Sequence, residues 1–139
     1  MATIKPSYGT ESDITPSGLQ SLANGTAVAS AAQTNATALA EDYVVSVVIA
    51  GTAASNASCQ VYVYTSQDNT NFDTLASATL LGNVYLTATP QQATFSLVGA
   101  GNFYQCPEYF EIVVYNNTGS LLSGSGNAIK ITPINTTIS

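Results

Sequence analysis

The chain has 139 residues, enough for one domain with one core; at this size folding buries roughly two-thirds of the surface an unfolded chain exposes. Only 7% of it is charged, against ~25% in an ordinary soluble domain. The net charge of -6 sets eight acids against Lys5 and Lys130, with no Arg and no His. Two lysines cannot form a phosphate track, which excludes nucleic acid as a partner, and missing histidine removes the commonest general base and transition-metal ligand.

No apolar run approaches the ~20 residues of a membrane span, so no membrane partner is expected. Lys5 is followed by no apolar leader segment, which predicts cytoplasmic synthesis. With so few charges, the surface must be built of Thr, Ser, Asn, Gln and Ala. It is cheap to desolvate and suits a protein held against neighbours.

In chain order, residues 1–16 hold two prolines, Gly9 and no alternation long enough for a strand, which predicts an extended N-terminal arm. Residues 17–139 then read as a single all-β domain. Ser17–Ser21 is expected as a short edge strand before an Asn24-Gly25 turn. Thr26–Gln33 alternates weakly, and its threonines and Val28 favour strand over the helix its alanines suggest. The apolar run Tyr43–Ala50 predicts a strand buried on both faces. Gly51–Asn56 reads as a loop.

From Ser58 to Thr65 the alternation is clean, with Cys59, Val61 and Val63 on one face and Gln60, Tyr62 and Tyr64 on the other. Gln67–Asn71 is a turn. A strand from Ala78 to Leu81 is expected to continue through a Gly82-Asn83 kink into Val84–Leu86, and Thr94–Val98 alternates again, with Gly99–Gly101 as a flexible connection. Tyr109–Tyr115 is the densest β segment of the chain: Phe110, Ile112 and Val114 share one apolar face, and Asn116–Gly119 ends it. Ala128–Ile134 supplies the last strand. About eight short strands without a convincing helix predict an antiparallel β-sandwich, most simply an eight-stranded jelly roll, with a seven-stranded immunoglobulin-like arrangement as the alternative.

The candidate chemistry is sparse. Cys59 and Cys106 are expected as free thiols packed in the core, with a disulfide as the alternative. Asp68, Asn69, Asn71 and Asp73 resemble part of an oxygen-ligand loop, but the pattern lacks the glycine and terminal Glu that calcium loops use, and hairpin-turn chemistry accounts for it. Glu41 with Asp42 and Glu108 with Glu111 are the close carboxylate groupings; adjacent strand residues face opposite ways, so the first cannot share a substrate. The expectation is therefore no enzyme, no metal and no cofactor. Tyr62, Tyr64, Tyr85, Tyr104, Tyr109 and Tyr115 are suited to protein contacts, to a sugar platform, or to a second core.

Tyr115-Asn116-Asn117-Thr118-Gly119, Gly126-Asn127 before the last strand, the opening Thr3–Thr10 and the strand Val61-Tyr62-Val63-Tyr64 together resemble small virion proteins of tailed bacteriophages. The resemblance implies a capsid decoration or cement protein, made in the host cytoplasm and carried on the capsid surface, whose partners are the major capsid protein and copies of itself, as a dimer or trimer. The contacts it suggests are Thr3, Ile4, Lys5, Pro6 and Tyr8 of the arm with Tyr62, Tyr64 and Tyr115. The alternatives are a carbohydrate- or receptor-binding module of a tail or fibre, with a glycan as ligand, and a neck or tail-completion subunit.

Overall fold

The computed structural model describes residues 3–51, 57–86 and 90–138. Its elements in chain order are β1 (Ile4–Tyr8), β2 (Ser12–Asp13), a 3-10 turn (Ser17–Leu19), β3 (Ala27–Ala29), β4 (Gln33–Thr34), β5 (Asp42–Ile49), β6 (Ser58–Ser66), β7 (Thr79–Tyr85), β8 (Gln91–Ser96), α1 (Leu97–Gly101), β9 (Tyr109–Asn117) and β10 (Ala128–Ile138). The strands form two antiparallel five-stranded sheets, a β-sandwich. The first runs β1-β10-β5-β8 with β2 also on β10, and the second runs β3-β9-β6-β7 with β4 also on β9.

Alternation builds the core between them. Val45, Val47 and Ile49 of β5 and Ile129 and Ile131 of β10 face Cys59, Val61 and Val63 of β6 and Phe110, Ile112 and Val114 of β9. The rings of Tyr43 and Phe110 meet across the sheets with centroids 5.1 Å apart. Val113 points the other way, yet it is also fully buried, flanked in register by Tyr62 of β6 and Ala29 of β3.

The structure corrects several sequence-based expectations. Residues 4–8 and 12–13 are strands paired with β10, so these parts of the expected arm belong to the first sheet. Its weak alternation reflects a strand with little core beneath it, since β1 is largely exposed. Ser17–Leu19 is a turn of 3-10 helix that drops Leu19 into the core rather than an edge strand. The run from Tyr43 is buried on one face only; Val44, Ser46 and Val48 on the other face are half-buried. Gly99–Gly101 is not a loose connection but part of α1. The Ser96 hydroxyl accepts the Gly99 N–H, Asp42 accepts the Val98 N–H, and Asn102 closes the turn in a left-handed conformation. Between β3 and β4 the chain takes one residue more than the facing stretch of β9, and the Ser30 hydroxyl accepts the Ile112 N–H there. Of the expected 51–56 loop, only Gly51 is among the described residues.

The Gly82 kink has a physical reason. The register of β6 against β7 shifts between Val61 and Tyr62, and a Cβ on Gly82 would lie 2.4 Å from the Phe95 ring of the opposite sheet. Gly82→Ala is therefore expected to lower stability by about 1–3 kcal/mol, read from urea unfolding. A neutral result would mean that Phe95 can move aside freely.

Candidate partner interface

The sequence-suggested contacts fall on two separate surfaces. Ile4, Lys5, Pro6 and Tyr8 lie in β1, with Thr3 just before it, at the edge of the first sheet; Tyr62, Tyr64 and Tyr115 lie on the outer face of the second. No single flat contact reaches both.

The first surface is a two-stranded ribbon. β10 is paired with β5 up to Ile134, opposite Asp42; from there to Ile138 its one strand partner among the described residues is β1. The alternation that buries Ile129 and Ile131 puts Ile4, Pro6, Tyr8, Ile134, Thr136 and Ile138 together on the ribbon's opposite face. Ile4 is 71% exposed, Tyr8 65% and Ile138 73%. Such a face is an exposed apolar patch at the end of an otherwise well-buried sandwich. Gly9 ends the ribbon by passing tightly over Pro133: its N–H donates to the Pro133 carbonyl at 2.8 Å, and a Cβ there would lie 2.6 Å from the proline ring.

The second surface is a half-buried tyrosine layer. Tyr62 is opposite Val113, Tyr64 opposite Glu111 and Tyr115 opposite Gln60, and the Tyr62 hydroxyl donates to the Gln60 side chain at 3.0 Å. Burial raises the pKa of both the Tyr64 phenol and the Glu111 carboxyl. The tyrosines thus partly line a small satellite cluster over Val113 and partly face outward, with Leu80 and Tyr85 exposed alongside on β7. Tyr109 is half-buried on this face, whereas Tyr104 stands fully exposed on the loop before β9.

Sequence reasoning missed Leu39 and Ile138. Leu39 is 72% exposed in a left-handed conformation (φ 45°) that a branched side chain rarely adopts. Asn35 holds its loop: the side-chain amide donates to the Ala40 carbonyl and accepts the Ala40 N–H and the Tyr43 hydroxyl. A shallow pocket separates Leu39 from Tyr104, floored by Val98 and Cys106 with Glu41 at its rim. Nothing but an isolated leucine among alanines and threonines marked the site in sequence. Ile138 escaped notice because the last strand is four residues longer than its apolar pattern suggested.

The same end of the sandwich carries an open cleft of about 650 Å³ between the turn after β6 and the loop before β9, lined by Gln67, Asp68, Asp73, Phe103, Gln105 and Glu108 among others. Two of its carboxylates serve the backbone. Asp68 accepts the N–H groups of Thr70 and Asn71 and the Asn71 side chain, which together hold its pKa far below the usual range. Asp73 accepts the Thr65 N–H and hydroxyl. Glu108 lines the cleft whereas Glu111 is on the tyrosine face, and Glu41 takes the Thr136 hydroxyl while Asp42 anchors α1, so neither carboxylate pair converges. Cys59 and Cys106 are free thiols, both pushed up to about 12 by burial. That leaves them protonated and poorly nucleophilic at neutral pH.

No protein-family model matches the chain, and no curated protein matches it in sequence.

Proposed function

We propose that this chain is a structural protein of a bacteriophage virion, a decoration or cement protein that binds the outer head surface and bridges neighbouring major capsid proteins. The observation that carries the reading is the exposed apolar ribbon of Ile4, Tyr8 and Ile138 at one end of a sandwich whose surface is almost free of charge. A second contact surface, the tyrosine layer, lies on the far sheet, and a bridging protein needs two. The jelly-roll reading of the fold is supported by strand order. Taking β1 with β2 and β3 with β4 as single positions, the eight positions in chain order stand as 1-8-3-6 in one sheet and 2-7-4-5 in the other.

The mechanism is mass action: a protein that binds the assembled shell and not its parts stabilises the shell by RT ln(1 + [L]/Kd), about 2.7 kcal/mol at a hundredfold excess over Kd. Low charge keeps the desolvation cost of that contact small.

The test adds purified chain to heads that lack it. Saturable binding at a fixed copy number and a higher temperature of head disruption are expected, and Ile4→Asp with Tyr8→Asp should reduce occupancy at least tenfold. Absence of binding to heads overturns the reading. The open cleft favours a second reading, a glycan- or receptor-binding module of a tail or fibre, because Phe103 beside amides and carboxylates is the mix that sugars select. Binding on a glycan array that Phe103→Ala abolishes would support that reading against the first.

A further inference from the structure

Beyond Ile134, β10 has β1 on one side and no strand on the other among the described residues. Two hydrogen bonds fix which way its backbone groups point. The Pro133 carbonyl accepts from Gly9 on the β1 side, and the Ile134 carbonyl accepts from the Glu41 N–H, at 3.0 Å, on the β5 side. Successive residues of a strand turn their backbone groups to opposite edges, so Asn135 and Thr137 address β1, whereas Thr136 and Ile138 address the open edge.

The two edges of the ribbon differ in kind. On the outside of β1, Pro6 sits opposite Thr136 at a position whose backbone faces away from β10; it offers no N–H there, a standard block to strand addition. The open edge of β10, Asn135-Thr136-Thr137-Ile138, carries no proline and no bulge and no charged residue of its own; the nearest charge is Glu41, whose carboxylate accepts the Thr136 hydroxyl. One edge is closed, and the other is left with good strand formers.

We propose that the chain forms a two-fold dimer through this edge, β10 of one copy pairing antiparallel with β10 of a second about an axis at Thr137. Thr136 of each copy then faces Ile138 of the other as a hydrogen-bonded pair, and Thr137 faces its own counterpart as a non-hydrogen-bonded pair, the self-complementarity a two-fold interface requires. The product is a four-stranded sheet, β1-β10-β10-β1, that gathers Ile4, Pro6 and Ile138 of both copies on one face. Two strands alone are marginal in water, while three or more with an apolar face are stable.

A second copy is the occupant that completes the sheet. A foreign strand would leave its own far edge open, whereas the partner ends in another β1 guarded by Pro6. The charge nearest the seam is Glu41, whose carboxylate accepts the Thr136 hydroxyl in each copy, and salt screens that pair of like charges. The two Lys5 residues are three strand spacings apart, roughly 14 Å, beyond the ~8 Å screening length at physiological salt. The inference needs only the ribbon and does not rest on the capsid reading.

Light scattering on the full chain at micromolar concentration is expected to give twice the chain mass. Thr136→Pro removes the N–H aimed at the seam together with the hydroxyl bonded to Glu41 and should weaken the dimer at least tenfold, while Thr136→Val, which keeps that N–H and drops the hydroxyl alone, should remain dimeric. Thr137→Cys should cross-link across the axis under mild oxidation, because paired Cα atoms at about 4.5 Å fall within disulfide range. Ser7→Cys, on the same face but in β1, should not cross-link. A monomeric wild type, a different stoichiometry, a dimer indifferent to Thr136→Pro, or no Thr137→Cys cross-link overturns the proposal. The cross-link also decides the matter if the proline variant fails to fold.

Discussion

Truncating Phe110 to alanine is expected to cost about 3–5 kcal/mol, the range for removing a fully buried aromatic side chain. Phe110 is among the largest side chains with no exposed surface, and its ring meets Tyr43 at a tilt of 60°. It therefore joins β9 of one sheet to β5 of the other, at the end that also carries the ribbon, the Leu39 loop and the cleft. The deletion removes both buried area and a ring–ring contact. Domains of this size hold about 5–15 kcal/mol in total, and each kcal/mol moves the midpoint by roughly 3–5 °C, so the loss should read as about 9–25 °C in Tm. Urea unfolding should show a lower midpoint at unchanged slope. Phe110→Leu, which keeps most of the volume, should lose no more than about 1.5 kcal/mol. A loss below 1 kcal/mol for the alanine variant would mean that the two sheets do not close over this ring.

Phe110 also shows what the sequence could reveal. A period-two pattern is a local property, and wherever a strand lies over the core, as in β6 and β9, the buried face could be read residue by residue. Where a strand runs past the core the pattern fades. Residues 4–8 and 134–138 form a regular ladder, yet they carry proline, lysine, asparagine and threonine because no opposite sheet demands apolar residues. The ribbon was therefore invisible as a strand, although four of its side chains could be chosen as contacts from their type. The helix α1 was hidden for a different reason. Two glycines in five residues argue against a helix, and one of the bonds that hold it comes from Asp42, more than fifty residues away. Strand order was equally out of reach, since which strands pair is decided by contacts between distant segments.

At the opposite end of the sandwich, Asn116→Ala is expected to cost about 3 kcal/mol although it deletes no apolar core. Asn116 is fully buried at the end of β9, and its side chain makes four hydrogen bonds. Its amide donates to the carbonyls of Leu22 and Ser120, each at 2.8 Å, and its carbonyl accepts the Thr118 N–H at 3.0 Å and the Thr118 hydroxyl at 2.7 Å. After truncation the Leu22 carbonyl keeps the Leu122 N–H and the Ser120 carbonyl keeps the Thr118 hydroxyl, but the buried Thr118 N–H loses its acceptor. An orphaned buried donor costs about 1–3 kcal/mol, to which the void adds. Asn116→Asp separates the polar effect from the packing effect. It keeps the shape and the acceptor for Thr118 but turns a carboxylate oxygen towards two carbonyls, so the charged form is disfavoured in the fold and its pKa must rise above the ~3.9 of an unfolded Asp. The penalty is then fully present above the folded pKa and shrinks as pH falls towards the unfolded value, because the native state binds the proton first. Asn116→Asp should therefore be less stable than Asn116→Ala at pH 7 and recover part of the difference at pH 5, as measured by urea midpoints. If the aspartate variant is as stable as wild type at pH 7, the amide of Asn116 is not what ties the Leu22 and Ser120 loops to β9.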